Sequence, residues 1–428
     1  MTSTSQSAAP QTAPLRPARA VATPGCVLAI NGGSSSIKFA VYTPGTPPAR
    51  TLVGQVERIG RQGAALSAKD AAGQVIEERP LEAADHPAAA QALIQWLRQH
   101  LDGAVVTAIG HRVVLGGVRL SEHQRITDEV LAELRRTVPV DLAHLPREIA
   151  LIEAFGRGFP GVPQVACFDT AFHQDLPTVA KLLPIPHRFY DAGIRRFGFH
   201  GLSYAYLLEE LRRVAPIEAA GRVIFAHLGS GASMAAVHGG KPIDTSMAFT
   251  PTAGLVMGTR PGDFDPGLLV YLMREQQLTP DEMDSFLNTQ CGLLGVSETS
   301  SDMRDLIARR GSDARAADAV ALFCYQARKW IGSYAAAMGG LDAVVFSGGI
   351  GEHSAPARAE ICAGLDFFGL RIDAEKNAAG DAVISGSTSA VAVRIIPTDE
   401  ESMIARITSQ VVGLTGTAGT ALLDEGAN

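Results

Sequence analysis

The chain has 428 residues, 46% of them hydrophobic and 19% charged, with a formal net charge of −7. This length favours two domains of roughly 200 residues each. The acidic balance excludes a nucleic-acid or anionic-membrane surface as the main partner, so any phosphate site is expected to be a local concentration of positive groups.

The opening "MTSTSQSAAPQTAPLRPARA" is rich in Ser, Thr, Pro and Ala and lacks the apolar region of a secretory signal. A disordered tail is expected over residues 1–26, with a cleaved transit peptide as the alternative. The first ordered element is "CVLAINGGSSSIKFAVYT", read as strand, small-residue turn, strand. Glycine lets backbone approach a ligand, and successive N–H groups and serine hydroxyls converge on an anion. The same pattern serves an ordinary hairpin. Its spacing is neither GxxxxGK[ST] nor GxGxxG, so the common phosphate-loop and dinucleotide readings fail.

"TAIGHRVVLGG" places His111 and Arg112 at the start of an apolar strand, and "DEVLAELRRTV" reads as an amphipathic helix. "VACFDTAFHQDLP" ends a strand at Phe168 and presents Asp169, where α/β sheets usually bind ligands. In "RRFGFHGLSY", His200 lies between a Phe and a Gly after Arg195 and Arg196, and a helix follows. "RVIFAHLGSGASMAAVHGGKPIDTS" repeats the opening grammar of strand, Gly/Ser turn and strand, which suggests a duplicated architecture. "GLVMGTRPGDFDPG" holds Arg260 in a loop offering little apolar surface for its stem. "DAVALFCYQARKWIGSYAAAM" reads as a helix. A third glycine-rich turn, "SGGIGEHS", follows a strand ending near Phe346 and leads to a helix from about Ala355. "IPTDEESMIARI" opens a last helix with Asp399, Glu400 and Glu401.

Strands and helices alternate throughout, so the class is α/β. Each charged residue also has a bland reading: His111 and His200 as structural histidines, Arg195 and Arg196 as a solvated pair, Glu400 and Glu401 as first-turn acids favoured by the helix dipole. Three Gly/Ser turns in one chain favour a nucleotide clamped between two halves. Cys26, Cys167, Cys291, Cys324 and Cys362 are scattered without a CxxC pair, the pattern of reduced thiols in a cytosol. The longest apolar stretch, Ile331 to Ile350, is broken by glycines, so no membrane span is expected.

Together "INGGSSSIKFAVY", "FDTAFHQDLP", "RFGFHGLSY", "DTSMAFTPTAGLVMGTRPGDFDPG", "SSDMRD", "GGIGEHS" and "IPTDEESMIAR" resemble the acetate kinase family, in order from about Val27 to Arg406. That family lies in the acetate/sugar kinase, Hsp70 and actin superfamily. The resemblance implies duplicated actin-like (ribonuclease H-like) domains with an interdomain cleft, divided as 27–169 plus 395–428 and 170–394. It implies a cytoplasmic homodimer that uses Mg-ATP, with Mn2+ able to substitute, to phosphorylate acetate. A propionate or butyrate kinase is the alternative within the class, and a non-catalytic ATP clamp the alternative outside it.

The resemblance also implies roles. Asn31 would sit near the transferred phosphoryl group, with Ser34, Ser36 and Lys38 in the same loop. Arg112 and Arg260 would hold the carboxylate and the migrating phosphoryl, faced by His144 and His200. Asp169 and Glu400 would organise magnesium, Glu400 most directly, with Asn31 beside it. Adenosine would lie against Asp302, Met303 and Arg304 and against Gly349, Ile350, Gly351 and His353. His227, Gly229 and Gly231 would line the second phosphate turn, and Val114, Ala143, Phe199 and Pro251 the methyl pocket. Several family positions differ: Leu115, Ala143, Leu145, Leu202, Tyr204, Ser230, His353 and Asp399. Ala143 replaces a leucine, which predicts room for one more carbon and nearly equal use of propionate and acetate.

Overall fold

The computed structural model describes residues 25–33, 35–101 and 103–414. Residues 1–24 of the expected tail, Ser34, and residues 415–428 lie outside the described residues; Gly25 and Cys26 already belong to the first strand. Thirteen strands form two sheets among the described residues. In the first, β1 (Gly25–Gly32), β2 (Ser36–Thr43), β3 (Ala49–Glu57), β4 (Ala65–Asp70) and β5 (Val75–Pro80) form an antiparallel meander. Strands β6 (Val105–Val113) and β8 (Gln164–Phe168) add in parallel on the other side of β1, and the short β7 (Gln124–Arg125) closes that edge. The second sheet contains β9 (Arg222–Leu228), β10 (Ala232–His238), β11 (Lys241–Thr245), β12 (Ala343–Ser347) and β13 (Ala392–Ile395).

The two sheets repeat one plan. The first contains the order β3-β2-β1-β6-β8 and the second is β11-β10-β9-β12-β13. In each, two hairpins precede two parallel strands, the duplication that the two Gly/Ser units suggest and that the family resemblance implies in actin-like form.

Period-two patterning explains why each sheet is covered on both faces. Along β1, Cys26, Leu28 and Ile30 face a core with Trp96 and Phe155, while Val27 and Ala29 face Met403, Ile404 and Ile407. The helix Glu400–Val412 thus lies on the first sheet, touching β1, β2, β6 and β8. It comes close because β6 carries Gly110, where a Cβ would stand 2.1 Å from Thr408 Oγ1. In the second sheet, Ile224, Ala226 and Leu228 join the largest core, and Val223 and Phe225 pack with Leu207 and Leu211 of helix Gly201–Val214.

Two local expectations change. His111 and Arg112 stand at the end of β6, not its start, because the apolar run from Val105 is itself the strand. After β12 the chain turns helical at once: Gly348–His353 form a short helix before Ala355–Cys362. Gly348 adopts φ +74°, and Glu352 Oε1 accepts from its N–H at 2.8 Å, satisfying an amide left open at the helix start. All five cysteines are free thiols.

Candidate active site at the junction of three glycine turns

A cleft of about 460 Å3 lies where the three glycine-rich turns meet. Gly33 and Ser36 come from the first turn, Gly229, Ser230 and Gly231 from the second, and Gly348 and Gly349 from the third. Asn31, Lys38, Arg112, His200, His227, Glu352, Thr398, Glu400 and Glu401 complete its wall. The topology causes this convergence. Strands β1, β6 and β8 are parallel, so Asn31, Arg112 and Asp169 emerge from neighbouring carboxyl ends. The β1–β2 register sets Asn31 opposite Lys38.

Arg112 and Asp169 form a two-pronged ion pair. Nη2 lies 2.6 Å from Oδ2, and Nε reaches Oδ1 and Oδ2 at 3.2 and 3.1 Å. Asp169 has no exposed surface. Burial opposes the charge on Arg112, but the carboxylates of Asp169 and Glu400 outweigh it and raise its pKa. Asp169 itself is pushed up by burial and pulled down by Arg112; with both of its oxygens accepting from the guanidinium, the pair is ionic.

Arg260 is held differently. Its loop is tied to the second turn by the Gly258 N–H bond to the Ser230 carbonyl at 2.9 Å, and Nη1 donates to the Pro251 carbonyl at 2.6 Å. Among the described residues it forms no ion pair. Burial lowers its pKa to about 10, which still leaves it protonated at neutral pH. A Cβ on Gly231 would stand 2.8 Å from Arg260 Nη2 and 3.3 Å from His200 Nε2, so these two groups share the space above the second turn.

His200 precedes helix Gly201–Val214 in a left-handed conformation, φ +57°. Strain of this kind persists where the surroundings hold it. Gly201 N–H donates to the Asp169 carbonyl at 2.9 Å, and a Cβ there would be 2.0 Å from that oxygen, so only glycine permits the approach. The His200 ring stacks on His227 at 4.3 Å. Its Nδ1 is 2.8 Å from Ser233 Oγ, which also bonds the buried Tyr204 hydroxyl. Burial, His227, Arg112 and Arg260 all depress the His200 pKa well below the ordinary value, so the ring is neutral. The Tyr204 hydroxyl has no described acceptor other than Ser233 Oγ, so it donates there. Ser233 then donates to Nδ1, and the ring proton resides on Nε2, facing the Gly231 turn.

At the mouth of the first turn, Asn31 Nδ2 donates to Glu400 Oε2 and Glu401 Oε1, each at 2.9 Å. Burial opposes the charge of Glu400, but Arg112, His227, Lys38 and Asn31 hold its carboxyl below the usual range. Burial and the neighbouring Glu400 push Glu401 up. No group of three or more His, Cys, Asp or Glu is poised to hold a metal among the described residues. The oxygen donors of Glu400 and Asn31 suit a hard cation that keeps waters and phosphate oxygens as its other ligands.

The other expected residues lie around this centre. His144 Nδ1 donates to Asp141 Oδ1 at 2.9 Å. Ala143 and His144 line a narrow cavity of about 10 Å3 with Gly32, His86 and Glu148. Val114, Phe199 and Pro251 are buried. Asp302 caps helix Met303–Arg309 and pairs with Arg304 at 2.6 Å, while Met303 is buried. Of the third-turn residues, Gly349 lines the cleft, Ile350 is half-buried, Gly351 is buried and His353 is exposed.

Some participants escaped sequence reading. Glu352 tethers Gly348 and Thr398 N–H groups, and its place inside "GGIGEH" was the available signal. Ser203 and Ser233, which orient His227 and His200, sit within the quoted motifs but carry no charge to mark them. Glu148, buried and accepting from the Val114 N–H, reads in sequence as a helix-surface acid. The bland reading of His111 stands: it is buried against Gln164 Oε1 at 2.6 Å, its pKa lowered by burial to about 4.

Comparison with known proteins identifies the family. The family model described as the acetokinase family matches residues 26–406. An acetate kinase of Methylocella silvestris is 43% identical over 396 residues, covering 90% of this chain and 97% of its own. A propionate kinase of Citrobacter rodentium is 43% identical over 390 residues, covering 89% and 95%. Among solved structures, the Porphyromonas gingivalis acetate kinase superposes with a TM-score of 0.80 at 35% identity, covering 91% of this chain and all of that one. A propionate kinase from Francisella tularensis gives 0.83 at 35%, covering 90% and 100%. The chain therefore belongs to the acetokinase family.

Proposed function

We propose that the chain transfers the γ-phosphoryl group of ATP reversibly to acetate, forming acetyl phosphate and ADP. A carboxylate oxygen forms the new P–O bond as the bond to the ADP oxygen breaks. Acetate is ionised at neutral pH, so no proton has to be removed and no general base is required. The barrier is electrostatic. Two unit charges 4 Å apart repel by about 4 kcal/mol at an effective dielectric near 20. In-line placement and cancellation of that repulsion are what the site has to supply.

The observation that carries this reading is the meeting of three glycine turns at a cleft that also presents Arg112. An ATP clamp needs the turns; it does not need Arg112 and Arg260. In the proposed complex Lys38, Ser36, His227, Gly229 and Gly231 receive phosphates, and Gly349, Ile350, Gly351, His353 and Asp302–Arg304 face the adenosine. Arg112 and Arg260 hold the carboxylate and migrating phosphoryl, with His144 beside them and His200 donating from Nε2. Both Asp169 oxygens are engaged by Arg112, which supports a role through that guanidinium rather than direct contact with a metal. Magnesium entering with the nucleotide would be held by Glu400 and Asn31 and would supply neutralisation of phosphate charge. Residues 27–169 plus 395–428 and 170–394 form the two proposed domains; the packing of helix Glu400–Val412 on the first sheet supports that division. A cytoplasmic homodimer completes the reading, its assembly open to light scattering.

Trapping acyl phosphate as hydroxamate, with acetate, propionate, butyrate and glycerol offered in parallel, tests the activity. Product from the acids and none from glycerol is expected, and Arg260→Ala should abolish it while leaving ATP binding largely intact. Tight ATP binding with no hydroxamate from any acid would return the protein to the clamp class.

A second reading concerns chain length. The narrow cavity beside Ala143 is lined by none of Val114, Phe199 and Pro251, so this reading rests on the smaller side chain at position 143, where one methylene is worth about 1–3 kcal/mol in discrimination. Propionate should therefore be used nearly as well as acetate, and Ala143→Leu should restore preference for acetate. A hundredfold preference for acetate in kcat/KM of the unmodified enzyme would refute it.

A further inference from the structure

Two imidazole rings share one wall of the cleft, and the sheet register brings them together. His227, near the end of β9, stands opposite Ser233 of β10. Ser233 is the hydroxyl that holds His200 Nδ1 at 2.8 Å. Residues paired across strands project to the same face, so the His200 ring stacks on His227 with centres 4.3 Å apart. Alternation along β9 sends Ala226 and Leu228 into the largest core and turns His227 to the side of Val223 and Phe225. Helix Gly201–Val214 covers that side, and its buried Ser203 meets His227 Nδ1 at 2.8 Å.

Ser203 has a second partner. The Thr398 hydroxyl lies 2.8 Å from Ser203 Oγ, across 195 positions of the chain. Thr398 lines the cleft, and its N–H donates to Glu352 Oε1 at 3.2 Å. The relay Thr398–Ser203–His227 therefore parallels Tyr204–Ser233–His200. It differs in joining the two proposed domains, whereas the other lies within one.

The outer nitrogens of both rings are accessible. Among the described residues neither His200 Nε2 nor His227 Nε2 has a hydrogen-bond partner, yet neither is among the side-chain polar atoms buried without one. They open on the cleft that both residues line.

The protons of the relay can run in two orders. Burial lowers the His227 pKa against the pull of Glu400 and Glu352, so the ring carries one proton. If Thr398 donates to Ser203, Ser203 donates to Nδ1 and the ring proton lies on Nε2. The reverse order puts it on Nδ1 and leaves a lone pair facing the cleft. An ionised phosphate oxygen offers only lone pairs, so a nucleotide selects the first order. Thr398 Oγ1 has no acceptor among the described residues other than Ser203 Oγ, which favours the same order.

We propose that Thr398 and Ser203 are positioning residues that hold His227 as an Nε2–H donor to a nucleotide phosphate, beside the Nε2–H of His200. This rests on the nucleotide site of the proposed function and adds what sets its second donor. Because Thr398 and Ser203 stand on different proposed domains, the donor is set only while the cleft keeps them together.

The test is 15N NMR of the full-length protein carrying labelled histidine, with MgADP bound, the His227 signal being assigned through His227→Gln. The proton is expected on Nε2, and the isosteric Thr398→Val should shift part of the population to Nδ1. Calorimetric MgADP affinity should fall at least threefold in Thr398→Val and in Ser203→Ala, and Thr398→Ser, which keeps the hydroxyl, should recover it to within twofold. The KM for acetate should stay within twofold in these variants, a selectivity that general loss of structure would not give. A proton on Nδ1 in the unmodified protein would overturn the proposal. So would unchanged MgADP affinity in both Thr398→Val and Ser203→Ala, or an acetate KM that rises in step with the loss of MgADP. Neither the tautomer nor MgADP binding requires an acid to be phosphorylated. Absence of hydroxamate with the Nε2 proton in place would therefore defeat the proposed reaction alone, and hydroxamate formed with the proton on Nδ1 would defeat the relay alone.

Discussion

The hydroxyl of Tyr204 donates to Oγ of Ser233, and that single bond decides where the proton of His200 resides. With Tyr204 as the terminal donor, the chain of hydroxyls runs one way and leaves Nε2–H directed at the second turn.

Breaking this chain should slow phosphoryl transfer while sparing substrate binding. Ser233→Ala removes the donor to Nδ1 and frees the ring to take the other tautomer. A lost hydrogen bond of about 0.5–1.5 kcal/mol corresponds to roughly 2–13-fold in kcat. Tyr204→Phe leaves Ser233 in place and should cost less. Steady-state kinetics decide it: a raised carboxylate KM with unchanged kcat would contradict the assigned role.

Gly231→Ala should separate folding from activity. The added methyl meets the flexible end of Arg260 and the His200 ring rather than backbone, so the fold accommodates it. It occupies the space that Arg260 Nη2 and His200 Nε2 share above the second turn, and kcat/KM should fall at least tenfold with Tm little changed. Equal losses in both measurements would mean that the glycine serves the backbone alone.

The two arginines should respond oppositely to truncation. Arg112→Ala leaves the Asp169 carboxylate buried without its counter-charge, a loss of about 3–5 kcal/mol in stability. Arg260 compensates no described carboxylate directly, so Arg260→Ala should leave stability nearly unchanged. Denaturant unfolding of both variants, with the Arg112→Ala/Asp169→Ala pair recovering part of the loss, checks this.

Glu148 makes stability depend on pH. Burial raises its carboxyl from an ordinary 4.5 to about 8, against the pull of Arg112 and the Val114 N–H. The folded chain therefore holds this proton across a window in which the unfolded chain has released it. With more protons bound in the folded state, the contribution of this group falls as pH rises from about 4.5 to about 8. Glu148→Gln keeps shape and removes the titration, so its Tm should decline less than that of the unmodified protein between pH 5.5 and 8.5. Parallel melting curves would exclude Glu148 as the source.

Much of this was readable in the chain itself. The two strand–turn–strand units, the third glycine turn and the charges ending apolar runs are local patterns, set by period-two burial and by where glycine relieves backbone crowding. Local pattern also placed Arg112, Asp169, His200 and Glu400 among the candidates. What the linear order could not decide was which candidates do structural work. His111 is held by Gln164 and Arg196 by main-chain carbonyls, and nothing in their flanking residues distinguishes them from Arg112 or Arg260. Charge state and tautomer were likewise out of reach: Asn31 meets Glu400 across 369 positions, and Glu148 loses its charge only because the fold removes it from water. Sequence determined the architecture and the residue types available for chemistry, whereas the tertiary structure alone decided their protonation and partners, because desolvation and Coulomb interaction depend on distance in space.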